Sequence, residues 1–443
     1  MNNSNSDLWD KIREQFDSAP YPNTPLDKSP KNDVSLLYYH NLVTAYYLRN
    51  QQVIDTKDKI ILDAGCGAGY KSLVLAKAKP GAKIVGVDIS AESVKLAKQR
   101  LEYHGFDNAE FHVLSICDVK SLGYAFDYIN CNETLYLFPD ISLALKSMKS
   151  VLKPEGIIRA NLHSAIQRFN IFCAQKAFTI MGLMEDNPGD LEIDIVTNTM
   201  NALKDNVFLK NITWSGDFEK EDRKERILMN YLFQGDKGYT VGDLFSALQT
   251  ADLEFISMLN WRQWDLVGLF KEPDNLPTFL AMSLPEISIE EQLQLFELLH
   301  PRHRLLDFWC GHPQPEQNFT PVFQWDNTDW KSAKVYLHPQ FNNAKLNNYV
   351  TACISTGKIF PIYKNISLGQ ETIYIDSSMA LCILPLFEKP YLMMDLVEYW
   401  RQRRPIDSFT GEPIETTQVF ELVKNTLSTL EGFDCVMLEK LSS

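Results

Sequence analysis

The residues that point to chemistry cluster in one run, Ile60-Ile-Leu-Asp-Ala-Gly-Cys-Gly-Ala-Gly-Tyr70. An apolar stretch ends in Asp63, and glycines follow at 65, 67 and 69. Glycine lets a backbone turn tightly and approach a ligand where a Cβ would collide. The helix that follows offers unpaired N–H groups at its start. Such a loop suits a dinucleotide equally well, but two carboxylates tilt the choice. Asp63 stands two residues before the first glycine, where it would repel a pyrophosphate and hold a cationic amino group. Asp88 ends the next apolar stretch, nineteen residues after Gly69, the place for a carboxylate that binds ribose hydroxyls. The pattern therefore favours a nucleoside ligand with a cationic amine over one with phosphates.

These residues need a scaffold, and the surrounding sequence supplies one. From Lys59, short Val/Ile/Leu-rich runs alternate with helical segments: KIILDAG, KIVGVDIS, AEFHVLSICD, FDYINCNE and GIIRANLH read as strands. KSLVLAKAK, ESVKLAKQRLEYHG and ISLALKSMKSVLK read as the intervening helices. Continuous apolar strands separated by helices of about 10 to 15 residues predict a parallel sheet covered on both faces. The strand pattern stops over 164–237, where IQRFNIFCAQKAFTIMGLM, IDIVTNTMNAL and the charged DFEKEDRKERI read as helices. Tyr239–Phe270 resumes the earlier style, with Thr240 as a helix cap and a strand beginning near Leu253.

Five segments resemble, in order and spacing, the motifs of class I S-adenosylmethionine (SAM)-dependent methyltransferases: Asp63–Gly69, Gly86–Ser90, Ser115–Asp118, Phe126–Asn132 and Leu152–Gly156. Glu155 departs from the family's usual second glycine. The resemblance implies SAM as cofactor and an α/β fold: a Rossmann-like seven-stranded methyltransferase sheet with a helical cap insertion and a second, smaller α+β C-terminal domain. It implies that Gly65, Gly67 and Gly69 wrap the methionine part, Asp63 holds its amino group, Asp88 binds ribose and Asp118 binds adenine. Cys66, Ile89, Cys117 and Asn132 lie in the same motifs and complete the expected cofactor set. No metal is implied. Pro20-Tyr21-Pro22, ahead of the glycine loop, resembles bacterial protein methyltransferases that carry an accessory regulatory region, and places Tyr21 in a lid.

Methyl transfer from a sulfonium is an in-line displacement in which positioning supplies much of the catalysis. A neutral nitrogen needs an oriented pocket and somewhere for its proton to go. Asn132, Glu133 and Tyr136, at the end of the fourth strand, can orient an amine or amide, and His163 after the fifth is the candidate base. Tyr136 also reads as a packing aromatic, packing is the preferred reading for Phe138, and His163 reads equally as a surface or capping residue. Trp261 and Trp264 are candidates for an acceptor pocket or for core. His300, His303, Cys310 and His312 have ligand-type side chains but no established zinc spacing, so packing is the expectation.

Composition bounds the rest. With 443 residues the chain predicts several domains: a lid segment over 1–50, a methyltransferase domain over 51–272 with its cap at 164–237, and an accessory domain over 273–443. A net charge of -14 argues against nucleic acid and anionic membranes as partners. No run of about 18 apolar residues predicts a transmembrane helix. The polar N-terminus shows no signal peptide, and the eight scattered cysteines form no CxxC pair, so a cytoplasmic protein is expected. The partner is then a methyl acceptor, protein or small molecule, with a homodimer as a further option. Nitrogen on a lysine or asparagine side chain is the preferred acceptor, and a bulky apolar natural product the alternative. A SAM-binding regulatory protein without turnover would carry the same motifs.

Overall fold

A computed structural model describes residues 3–214, 223–314, 319–362, 373–406 and 411–441. The chain forms two compact units: Met1–Ser29, Asp58–Ala76 and Gly81–Pro313 make the first, and Pro30–Lys57, Lys77–Pro80 and Gln314–Ser443 the second.

The first unit is built on β1 (Ile60–Ala64), β2 (Lys83–Asp88), β3 (Ala109–Val113), β4 (Phe126–Cys131), β5 (Leu152–Ser164), β6 (Gly238–Tyr239), β7 (Glu254–Met258) and β8 (Leu305–Gly311). The sheet runs β3-β2-β1-β4-β5-β8-β7, with β6 paired to the end of β5. β1 to β5 are parallel, as the apolar runs predict, and their register sets Leu62 beside Val85 and Ile129. Every residue of β4 is buried. The helices Tyr70–Ala78, Ala91–Tyr103 and Ile141–Lys149 connect them. Asp140 and Ser90 cap the last two through backbone N–H groups.

The seventh strand is the departure. β8 is antiparallel to both neighbours and inserts between β5 and β7, pairing Ala160 with Phe308 and His163 with Leu305. The boundary expected at 272/273 therefore falls inside the first unit, because 305–311 completes its sheet. Phe308 and Cys310 join the main core with Phe126, Ile129 and Ile158. That packing also accounts for the HPRHRLLDFWCGH segment: His303 stacks on Trp264, and the His312 ring meets the Leu152 carbonyl. Among the described residues, no group of three or more His, Cys, Asp or Glu is placed to hold a metal.

Four helices fill the cap: Phe169–Ile180, Asp190–Ala202, Phe208–Thr213 and Arg223–Asn230. They share a small core around Phe178, Val196, Met200 and Tyr231. The charged segment expected over 217–227 lies outside the described residues as far as 222. Thr240 caps the helix Val241–Thr250 in a capping box with Asp243.

In the second unit, β9 (Ala333–Leu337) lies between β12 (Tyr391–Leu392) and β13 (Val436–Lys440) in an antiparallel sheet, and β10 (Phe360–Pro361) pairs with β11 (Tyr374–Ile375). Residues 30–50 part from the expected lid. Helices Val34–Tyr39 and Leu42–Asn50, separated by His40 and Asn41, belong to this unit, where Tyr38 packs in its core. Among the described residues, no helix is long and apolar enough to cross a membrane.

Candidate active site

The glycine loop forms where β1 ends. The N–H groups of Gly65 and Cys66 both reach the Val87 carbonyl at 2.9 Å, which folds the loop back on β2. Gly65 and Gly67 have positive φ, of 81° and 49°. A Cβ on Gly67 would stand 2.3 Å from the Tyr21 carbonyl oxygen, and one on Gly65 2.3 Å from Thr134 Oγ1. A side chain at either place would force these neighbours to shift, so glycine lets the loop pack closely under Tyr21 and Thr134. The Tyr21 carbonyl accepts the Ala68 N–H at 2.9 Å, pinning the 21–24 segment over the loop.

A cavity of about 550 Å³ opens above this loop, within the usual range for small-molecule sites. The expected residues Gly65, Cys66, Gly67, Asp88, Ile89 and Asn132 line it, and so do Glu133, Tyr136 and His163. Asp88 bridges the loop and the next helix: its carboxylate accepts the Gly67 and Ser90 N–H groups, each at 2.9 Å. Burial raises the Asp88 carboxyl above its ordinary range, and those N–H groups offset part of the rise. Leu114 and Ile116 line the same side of the cavity.

Four expected residues stand elsewhere. Asp63 is 1% exposed, its oxygens taken by Ser72 Oγ at 2.5 Å and Asn130 Nδ2 at 2.8 Å. It braces β1 against β4 and the helix Tyr70–Ala78, and is not among the residues lining the cavity. Gly69 faces Ala97 of the helix Ala91–Tyr103. Cys117 and Asp118 are exposed in the turn after β3 and do not line the cavity. Nor do Trp261 and Trp264: Trp264 is buried against Phe296 and His303.

At the β4–β5 end, charged groups converge. Glu133 has a positive φ of 58°, unusual outside glycine, and its N–H donates to Asn161 Oδ1 at 2.8 Å. Holding such a residue costs about 1 to 3 kcal/mol, which marks the position as over-determined by its surroundings. Its carboxylate accepts both terminal nitrogens of Arg304, one at 3.3 Å, and the Tyr136 hydroxyl at 3.2 Å. Burial pushes the Glu133 carboxyl up, but the His163 ring and the Arg304 guanidinium outweigh it and hold the group well below the carboxylate range.

His163 is 2% exposed and lies 3.8 Å from the Tyr136 ring in a stacked pair. Nδ1 is 2.6 Å from Asp236 Oδ1, while Nε2 is 3.0 Å from Arg304 Nη1 and 3.6 Å from Glu133 Oε2. A guanidinium only donates, so Nε2 accepts from Arg304 when the ring proton sits on Nδ1, and faces Glu133 as a donor when the ring is protonated. Asp236 is fixed in turn by Arg168 at 3.1 Å and Gln175 at 2.9 Å. Behind Asn132 lies a buried pair, Arg159 with Asp307, at 3.0 and 2.7 Å. Arg159 Nη2 and Asn161 Nδ2 both donate to Asn132 Oδ1. Tyr21 completes the wall, its hydroxyl pushed up to about 12 by burial and by Glu133.

Asp236, Arg304 and Lys71 were not singled out by sequence, nor were the apolar lining residues Trp9, Ile12, Phe16, Met229 and Phe233. The one visible signal was Asp236 itself, a carboxylate just before the chain rejoins the sheet at Gly238.

Comparison with known proteins assigns the class. Residues 55–226 match the family model of a methyltransferase domain. Taken with the fold and the glycine cradle, this defines a class I, Rossmann-like SAM-dependent methyltransferase domain; the protein is an enzyme, and SAM is its cofactor. Among solved structures the chain is similar to PKMT2 from Rickettsia typhi, 18% identical with a TM-score of 0.57, covering 92% of this chain and 76% of that one. The same protein in complex with AdoHcy gives 16% identity and a TM-score of 0.56, covering 91% of this chain and 76% of that one. These two likenesses concern the fold. By sequence, an uncharacterized protein of Synechococcus sp. is 26% identical over 317 residues, 71% of this chain and 73% of its own length. The ubiquinone biosynthesis O-methyltransferase of Actinobacillus pleuropneumoniae is 33% identical over 104 residues, 23% of this chain, which thus spans under half (44%) of that enzyme.

Proposed function

We propose that the enzyme methylates a nitrogen on a protein side chain, lysine ahead of asparagine. The observation that carries this reading is the seat of Arg304. A cation on an alkyl stem rests on Glu133, beside Tyr21 and Tyr136, with one N–H on the His163 Nε2 lone pair. A lysine ammonium has the same charge and a similar stem, and takes this seat when Arg304, whose side chain is 47% exposed, swings out. An asparagine amide carries no charge to match Glu133.

In this reading Gly65 and Gly67 present the backbone to the methionine part of SAM, and Asp88 holds the ribose. Asn132, clamped by Arg159 and Asn161, fixes the wall beside them. SAM supplies an electrophilic methyl group on sulfur. His163 Nε2 accepts the ammonium proton, with Asp236 stabilising the resulting imidazolium through Nδ1. With its proton on His163, the nitrogen would present its lone pair to the methyl group that SAM would supply, held in line by Glu133 and the Tyr21 and Tyr136 walls. Glu133 stabilises the positive charge carried by the nitrogen before and after transfer.

A second reading, transfer to a bulky apolar small molecule, is favoured by the Trp9, Ile12, Phe16, Met229 and Phe233 wall. Incubation with methyl-labelled SAM, protein extract and an organic-soluble metabolite fraction separates the two. Methyllysine in the hydrolysed protein supports the first reading. Label confined to the organic extract transfers the case to the second, and label on oxygen or carbon of protein ends the first.

A further inference from the structure

SAM bears a carboxylate on its methionine part, and a desolvated carboxylate needs a cation. The carboxylates lining the cavity, Asp88 and Glu133, offer it none. Among the residues lining the cavity, two side chains carry a permanent-type cation, Lys71 and Arg304. Arg304 is held by Glu133. Lys71 enters the first turn of the helix Tyr70–Ala78, directly after the glycine loop. No hydrogen bond or ion pair among the described residues engages its ammonium.

Topology sets which end of the cofactor Lys71 meets. Asp88, Ile89, Leu114 and Ile116 lie at the β2–β3 side of the cavity, where the nucleoside belongs. Lys71 is felt electrostatically from the other side of β1, by Arg159 on β5, Glu133 after β4 and Asp307 on β8. Burial, with Arg159 adding to it, pushes the ammonium below its ordinary range, against the pull of Glu133, Asp307 and Asp63. A cation in that condition gains from a new anion beside it.

We propose that Lys71 is the anchor for the SAM methionine carboxylate. The assignment rests on SAM as the cofactor and not on the identity of the acceptor, so it stands or falls apart from the proposed lysine specificity. The loop glycines position the chain of the ligand, and Lys71 reads its charged end.

The test is calorimetric binding of two ligands, SAM and decarboxylated SAM, which keeps the sulfonium, amine and nucleoside. Wild-type protein is expected to bind SAM about 10- to 100-fold more tightly than the decarboxylated ligand, the scale of a charge-assisted hydrogen bond. Lys71→Met is expected to erase that difference by weakening SAM alone, and Lys71→Arg to restore most of it. Equal loss for both ligands in Lys71→Met would make Lys71 a support of the loop and overturn the assignment. Unchanged SAM affinity would overturn it too. Should Lys71→Met not fold, the wild-type comparison and Lys71→Arg still decide: equal wild-type affinity for the two ligands removes the carboxylate site altogether.

Discussion

Asp236→Asn should be costly far beyond the size of the change. Its side chain is fully buried and receives three donors, His163 Nδ1 at 2.6 Å, Gln175 Nε2 at 2.9 Å and Arg168 Nη2 at 3.1 Å. Asparagine offers one acceptor oxygen and turns an NH2 group toward the others, so at least one donor faces a donor. Arg168, 3% exposed, then keeps a buried positive charge with no carboxylate beside it. Breaking a buried pair in this way costs about 3 to 5 kcal/mol. In urea unfolding followed by a probe in the first unit, the midpoint should fall by about 1 to 2 M, taking m near 3 kcal/mol per M for a unit of this size. The orphaned charge supplies an internal check. Arg168→Met added to Asp236→Asn should recover part of the loss, because it removes the uncompensated guanidinium. A midpoint shift below about 0.3 M, or a double variant less stable than Asp236→Asn alone, would refute the reasoning, since an orphaned charge of under about 1 kcal/mol is not an orphaned charge.

Other consequences follow from the same geometry. Glu133→Gln keeps the shape of the seat and loses its charge, so kcat/KM for an amine acceptor should drop about 100-fold while SAM affinity stays within about threefold, read by label transfer and calorimetry. Gly67→Ala puts a methyl group 2.3 Å from the Tyr21 carbonyl at a positive φ, and should lift the 21–24 segment and weaken SAM by about 10-fold or more; wild-type affinity would show that the segment is not closed on the loop. Asp88→Ala should weaken SAM binding by about 1.5 to 3 kcal/mol, measured by the same titration. The Asp236 carboxyl is held low: burial raises it, but the contacts from His163 and Arg168 more than offset this. A depressed carboxyl adds stability above its unfolded value of about 3.9 and loses it as pH falls through the lower folded value. Acid unfolding of the first unit below about pH 4 should therefore be blunted in Asp236→Asn, whose curve lies lower and flatter than wild type.

What the sequence disclosed and what it hid divide along physical lines. β1 to β5, the glycine loop and the Thr240 cap were legible because their signals are local: apolar runs, spacing, a hydroxyl followed by an acid three residues on. The placement of Asp88 and of the Glu133–Tyr136 turn at the strand ends that line the cavity was legible for the same reason. Asp63 was misread because a carboxylate beside a ligand loop looks the same whether it faces the ligand or two buried donors. β8 was missed because nothing in LLDFWCG states which edge it will join. Its neighbours lie some 50 and 150 residues earlier, at 254–258 and 157–163, and pairing over such separations is set by the assembled sheet. The Asp236–His163–Arg304 group is likewise a product of three distant segments meeting.

That late strand also bears on how the protein is made. A ribosome releases the glycine loop, β4 and β5 more than 140 residues before Leu305 emerges, so β5 waits with one edge bare and Arg159 without Asp307. During that interval the nascent sheet presents unpaired backbone groups and a buried-type cation to solvent or to a neighbouring chain. Until synthesis passes Gly311 there is a cofactor loop but no finished reaction centre, so a product truncated in the region 273–304 should be a candidate for chaperone capture and proteolysis rather than a shorter enzyme.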